Sequence, residues 1–199
     1  MDFASRNLTA GQLNAIVKKL GGEKGALRFL RGELLVSAVK PIEMPVWKTV
    51  KLGLHKSPDE YRAALRSAKR KITDWANEIL DDVTCSQEEK EVDLVLLSTD
   101  DLGLKDENWT KYRDICTKAI ELGLEICSAE VGFALRLQYP DQPRGESVRM
   151  PVEAVTGWRD YGFICVSCGS NGRWVEGVRV DPDGFYKIYN PYCFVKPRI

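Results

Sequence analysis

Asn171-Gly172 constrains the fold more than any other feature of the chain, because this dipeptide is the strongest short-range signal for a two-residue hairpin turn. The runs on either side, Tyr161–Cys168 and Arg173–Val180, are rich in β-branched and aromatic residues, as two antiparallel strands require. Asp181-Pro182-Asp183-Gly184 reads as a further turn and Tyr192–Val195 as a last strand. Trp158, Tyr161, Phe163, Trp174, Phe185, Tyr186, Tyr189, Tyr192 and Phe194 place half of the chain's aromatic side chains here, so the C-terminal third is a folded sheet and not a tail.

Upstream, two-residue alternation also marks Phe133, Leu135, Leu137 and Tyr139, then Val148, Met150, Val152 and Ala154, and predicts two more strands. Helical spacing governs the rest. Thr9 caps a helix carrying Leu13, Ile16, Val17 and Leu20; Gly21-Gly22 ends it, and Ala26, Leu27, Phe29 and Leu30 continue in a second helix closed near Gly32. Pro41 and Pro45 mark a linker. Trp47–Leu52 is a short strand candidate. Ser57-Pro58-Asp59-Glu60 is a capping box with proline at the first helical position, and Tyr61, Leu65, Ala68, Ile72, Trp75 and Ile79 predict one long helix after it. Val92–Ser98 has the apolar run of a strand covered on both faces. Strand, helix, strand implies a βαβ unit with parallel strands. Tyr112, Ile115, Cys116, Ala119 and Ile120 predict another helix ending at Leu122-Gly123-Leu124. The expected class is α+β: a helix pair over residues 1–40, then one domain over 45–199 with one βαβ unit and a C-terminal antiparallel meander in a mixed sheet.

The formal net charge is zero, but it is unevenly spread. Residues 1–72 carry a net +9, residues 73–130 a net −11 and residues 131–199 a net +2. A composition of 44% hydrophobic and 29% charged residues excludes disordered, collagen-like and coiled-coil chains. No apolar run has the length of a membrane span, and Asp2 stands where a signal peptide needs basic residues. Cys85, Cys116, Cys127, Cys165, Cys168 and Cys193 are therefore read as free thiols of a soluble cytoplasmic protein.

The stretch Gly123-Leu124-Glu125-Ile126-Cys127-Ser128-Ala129-Glu130-Val131-Gly132, continuing through Leu135-Arg136-Leu137-Gln138-Tyr139 to Asp141-Gln142-Pro143, resembles a recurrent block in an uncharacterised bacterial protein family. The members are similar also in the Leu8-Thr9-Ala10-Gly11-Gln12-Leu13 and Lys19-Leu20-Gly21-Gly22 segments, so the resemblance extends over most of the chain. It implies a bacterial origin and a self-contained fold, and it brings no activity with it.

Two kinds of site follow from the residues. In a parallel βαβ unit ligands bind beyond the carboxyl ends of the strands. His55 follows the first strand and Ser98-Thr99-Asp100-Asp101 the second, which would set the chain's one imidazole against Asp100 and Asp101, a base oriented by an acid or an oxygen-rich metal site. The plain alternative is a turn cap and a solvated loop residue. The second kind is basic. Arg62, Arg66, Lys69 and Arg70 fall at i, i+4, i+7 and i+8 of the long helix, and Lys24, Arg28 and Arg31 charge a helix pair that is helix-turn-helix-like. Such a field suits nucleic-acid phosphate; equally, Asp81, Asp82, Glu88, Glu89, Glu91 and Asp93 could neutralise it within the fold.

Other motifs carry less. Cys165-Val166-Ser167-Cys168 has the spacing of half a zinc knuckle, but a second pair is missing and core thiols are the simpler reading. Gly21-Gly22-Glu23-Lys24-Gly25 lacks the strand and spacing of a phosphate loop. Arg136 and Gln138 would share the polar face of a strand preceded by Glu130, with solvent as the default neighbour. The sequence thus describes a binding module for a protein or nucleic-acid partner, with a metal-assisted hydrolase or nuclease on His55, Asp100 and Asp101 as the alternative. No cofactor is expected.

Overall fold

The computed structural model describes residues 10–34, 44–104, 109–152, 161–181, 183–187 and 191–198. The expected cap at Thr9 and the segment around Pro41 lie outside them. The chain divides into two units, residues 1–43 and 44–199.

The first unit is a helix hairpin, α1 (Ala10–Lys19) and α2 (Gly22–Leu30). Gly21 and Gly22 both take left-handed backbone, φ 89° and 80°, which reverses the chain in two residues at little steric cost. Two helices this short do not bury their apolar sides within the hairpin; Leu13, Ile16, Val17, Leu27, Phe29 and Leu30 stay exposed.

The second unit is α+β. Its elements are β1 (Lys48–Leu52), α3 (Pro58–Ser67), β2 (Lys71–Ile72), α4 (Asp74–Asp81), β3 (Lys90–Leu97), β4 (Trp109–Lys111), α5 (Tyr112–Glu121), α6 (Ala129–Gln138), β5 (Ser147–Val152), β6 (Tyr161–Gly169), β7 (Gly172–Val180), β8 (Phe185–Lys187) and β9 (Tyr192–Lys196). Seven strands form one mixed sheet in the order β1-β3-β9-β5-β6-β7-β2, and β4 pairs with β8 apart from it. The Asn-Gly hairpin joins β6 to β7 in register from Tyr161↔Val180 to Gly169↔Gly172. Side chains alternate across the sheet. Ile164 and Val166 of β6 join an apolar cluster with Tyr61, Leu65, Ile79, Leu80, Phe133 and Leu135 from α3, α4 and α6. Phe163 and Cys165 face the other way, into a cluster with Tyr112, Ile115 and Ala119 of α5.

Three expectations are corrected. The βαβ unit is absent, because β1 and β3 are antiparallel neighbours, Lys48 opposite Leu94 and Leu52 opposite Lys90. The long helix is broken in two. Ser57 caps α3 as expected, its hydroxyl accepting from Glu60 N at 3.3 Å. The helix then stops at Ala68, with Lys69 in left-handed conformation (φ 54°) and Arg70 N donating to Leu65 O at 2.8 Å. Lys71 and Ile72 pair in parallel with Trp174 and Val175, and Thr73 caps α4. Third, residues 133–139 are not a strand. They belong to α6, in which every residue from Ala129 to Arg136 is buried. A helix covered on all sides needs no polar face, so its sequence loses the 3.6-residue signature. Its close seat on the sheet depends on Gly132, where an added methyl would stand 2.2 Å from Ile164 Cγ2.

Candidate anion-binding site

The break between α3 and α4 opens a cleft of about 310 Å³ lined by Arg62, Leu65, Arg66, Arg70, Ile72, Asp74 and Asn77. Three of the four arginine and lysine residues expected to form a basic stripe therefore meet in one depression, though their situations differ. Arg62 is fully engaged. Its Nε donates to Asn77 Oδ1 at 2.8 Å, Nη1 pairs with Asp59 at 2.9 Å, and Nη2 pairs with Asp81. The Asp81 carboxylate, more than any other neighbour, pushes the Arg62 pKa up. Among the described residues, the side chains of Arg66, Lys69 and Arg70 have no hydrogen-bonding or ion-pair partner, and Arg70 Nε is buried without one.

The acidic middle of the chain neutralises little of this field. Asp81 holds Arg62, but Glu91 and Asp93 are taken by Arg198 at 3.0 and 2.7 Å. Asp82, Glu88 and Glu89 make no ion pair among the described residues. In the first unit Arg28 approaches Glu33 at 3.9 Å, while Lys24 and Arg31 are exposed.

Helix α6 carries two buried charges, Arg136, which the sequence placed on a strand, and Glu130, which it placed just before that strand. Glu130, in its first turn, is well satisfied: Tyr61 Oη donates to it at 3.1 Å and Ser86 Oγ at 2.7 Å, with Ser86 N at 3.1 and 3.0 Å to its two oxygens. Burial and then Glu130 push the Tyr61 pKa up, so Tyr61 is a donor here and not an acid. Arg136, near the other end, is fully buried and has only neutral acceptors: Gln142 Oε1, the Tyr139 carbonyl and Ser167 O at 3.1 Å. Burial, then Arg70 and Arg173, pull its pKa down to about 10. No sequence signal marked it, since a single arginine within an alternating run reads as a solvent contact.

The hydrolase constellation is not brought together. With β1 and β3 antiparallel, His55 follows the end of β1 beside Lys90, whereas Asp100 follows Leu97 at the far end of β3. Seven residue steps along β3, roughly 24 Å at about 3.4 Å each, separate those ends. His55 lies edge-on to the Tyr61 ring at 4.9 Å. Asp101 closes its own turn, accepting from Ser98 N at 2.8 Å and Ser98 Oγ at 2.6 Å. The Ser98 hydroxyl, then its N–H, hold the Asp101 pKa below the usual carboxylate value. Asp100 is exposed. Cys165 and Cys168, three apart on β6, face opposite sides of the sheet and cannot ligate one ion. No group of metal-ligating side chains occurs among the described residues, and none of their helices is long and apolar enough to cross a membrane.

No protein-family model, curated protein or solved structure matches the chain.

Proposed function

We propose that the protein is a binding module for nucleic acid, held through backbone phosphates at the α3–α4 cleft. The observation that carries this reading is the presence of Arg66 and Arg70 in one cleft with no acid partner, flanked by Lys69. Exposed or half-buried arginines without carboxylates are suited to bidentate contact with phosphate oxygens. Asn77 and Asp74 add an amide and an acid to the wall. Lys24, Arg28 and Arg31 of the helix hairpin are the second group of phosphate-binding side chains in this reading. It goes with a cytoplasmic bacterial protein, a setting supported by six free cysteines and by the resemblance of residues 123–143.

The test is fluorescence anisotropy with a labelled 20-nucleotide DNA duplex and a single-stranded RNA of the same length, from about 20 to 200 mM salt. The expected result is binding at low salt that weakens as salt rises. In an R66Q/R70Q variant the log–log slope should fall by about 2, near one unit for each phosphate no longer neutralised. No binding of either probe at the lowest salt, or an unchanged slope in the variant, overturns the reading.

A further inference from the structure

The sheet edge beneath the cleft brings three arginines together without a counter-charge. One step before the paired residues Lys71 and Trp174 stand Arg70, just ahead of β2, and Arg173 of β7. Lys71 and Trp174 share one face, with Lys71 Nζ 4.8 Å from the indole ring centre. By alternation Arg70 and Arg173 turn to the other face, that of Ile72, Val175 and helix α6. Arg136 reaches the same place from α6: its Nη1 donates to Ser167 O, and Ser167 is the register partner of Trp174. Like charges on neighbouring strands repel, and a buried guanidinium without a carboxylate is strongly unfavourable.

The surroundings do not relieve this. Cys168 and Tyr139 flank Arg136. Glu146 sets its carboxylate against the Tyr139 hydroxyl, whose pKa burial and Glu146 together push up to about 12. Among the described residues, Arg70, Arg136 and Arg173 make no ion pair, and the Nε of each is buried without a hydrogen-bond partner. Three buried, unsatisfied donors on three adjacent cations are the donor set that a multiply charged anion requires.

We infer that Arg70, Arg136 and Arg173 form a binding site for a compact phosphate dianion, either inorganic phosphate or the terminal group of a phosphomonoester. Arg136 is the fixed floor of the site, its Nη atoms tied to Gln142, Tyr139 and Ser167, while Arg70 and Arg173 close on the ligand from the sheet edge. The site shares Arg70 with the cleft, but it does not depend on nucleic-acid binding.

The experiment is titration calorimetry and thermal unfolding with sodium phosphate and with glycerol 3-phosphate, against sodium chloride at equal ionic strength. The expected result is one saturable site and a rise in Tm beyond that in chloride; tighter binding of one ligand or the other tells free phosphate from a monoester. R70Q and R173Q should each weaken binding about tenfold while leaving the ligand-free Tm equal or higher, because each relieves like-charge repulsion. R66Q should leave phosphate binding unchanged while weakening oligonucleotide binding. Phosphate stabilising no more than chloride, or R173Q binding phosphate as the unaltered protein does, overturns the inference. Loss of oligonucleotide binding alone counts only against the nucleic-acid reading. R136Q would disturb folding whatever the site does, since it removes a buried side chain with three hydrogen-bond partners.

Discussion

Gly132→Ala tests the packing of α6 on the sheet. In an ordinary helix interior this change stabilises by about 1 kcal/mol, since alanine loses less backbone freedom than glycine. Here the new methyl would stand 2.2 Å from Ile164 Cγ2, 3.1 Å from Ile164 Cβ and 3.4 Å from Met150 Cε. Met150 is flexible and can yield. Ile164 cannot, because Cγ2 branches directly from its Cβ and the residue is fully buried within β6. Overpacking of this kind costs about 2–3 kcal/mol, so the net effect is a loss of about 1–2 kcal/mol. In urea unfolding that lowers the midpoint by about 0.5–1 M at a typical slope. The sign should reverse in an Ile164→Ala background, where the obstructing methyl is gone and helix propensity acts alone; the coupling between the two sites is then about 2–3 kcal/mol. If Gly132→Ala raises the urea midpoint of the otherwise unaltered protein, the close seat of α6 on β6 is wrong.

Two further predictions concern the backbone at Lys69 and the titration of Asp93 on β3. Lys69→Gly should stabilise the protein by about 1 kcal/mol in the same urea assay, because it removes the cost of a side chain at φ 54°; a drop in stability would contradict the left-handed helix end. Asp93 is held at a pKa of about 2, first by Arg198 and then by Thr49. Since this value lies below that of the unfolded chain, about 3.9, the ion pair stabilises above roughly pH 4, and that stabilisation disappears as pH falls through about 2. Arg198→Gln should return the Asp93 carboxyl toward its ordinary value in an NMR pH titration, and an unmoved titration would show that the pair does not form.

The parts of the fold that could be read from sequence are those whose cause is local. Ser57-Pro58-Asp59-Glu60 starts a helix within four residues, Asn171-Gly172 turns a strand within two, and Leu122-Gly123-Leu124 ends a helix in the expected way, with Leu124 N on Ala119 O at 3.0 Å. Strand direction is not local. Nothing between Leu52 and Lys90 encodes whether β3 returns parallel or antiparallel to β1, and the enzyme site fell with that choice. The helix break at Lys69 has no glycine to announce it, and the Lys71–Trp174 pairing that compensates lies about a hundred residues away. Within α6, burial on every side erased the amphipathic pattern and disguised Arg136 as a surface residue. The basic residues were legible but not their arrangement: α3 ends before Lys69 and Arg70, so no helical stripe forms, and which members remain unneutralised depended on Asp59 and Asp81 reaching Arg62 alone.

Strand β9 sits in the middle of the sheet yet comes last among the described strands, and this shapes how the unit can assemble. Among the described residues β1–β3 and β5–β6–β7–β2 have no direct strand pairing with each other; β9 pairs with β3 on one side and β5 on the other, and Cys127 bridges Val152 of β5. Until Tyr192–Lys196 arrives, both halves expose an open inner edge of unpaired backbone groups, the geometry that invites pairing with another chain. Pairings so distant in sequence also make ordering slow relative to a helical domain of the same size. Closing the sheet therefore depends on the insertion of one short strand, a step whose rate determines how long the aggregation-prone edges stay open.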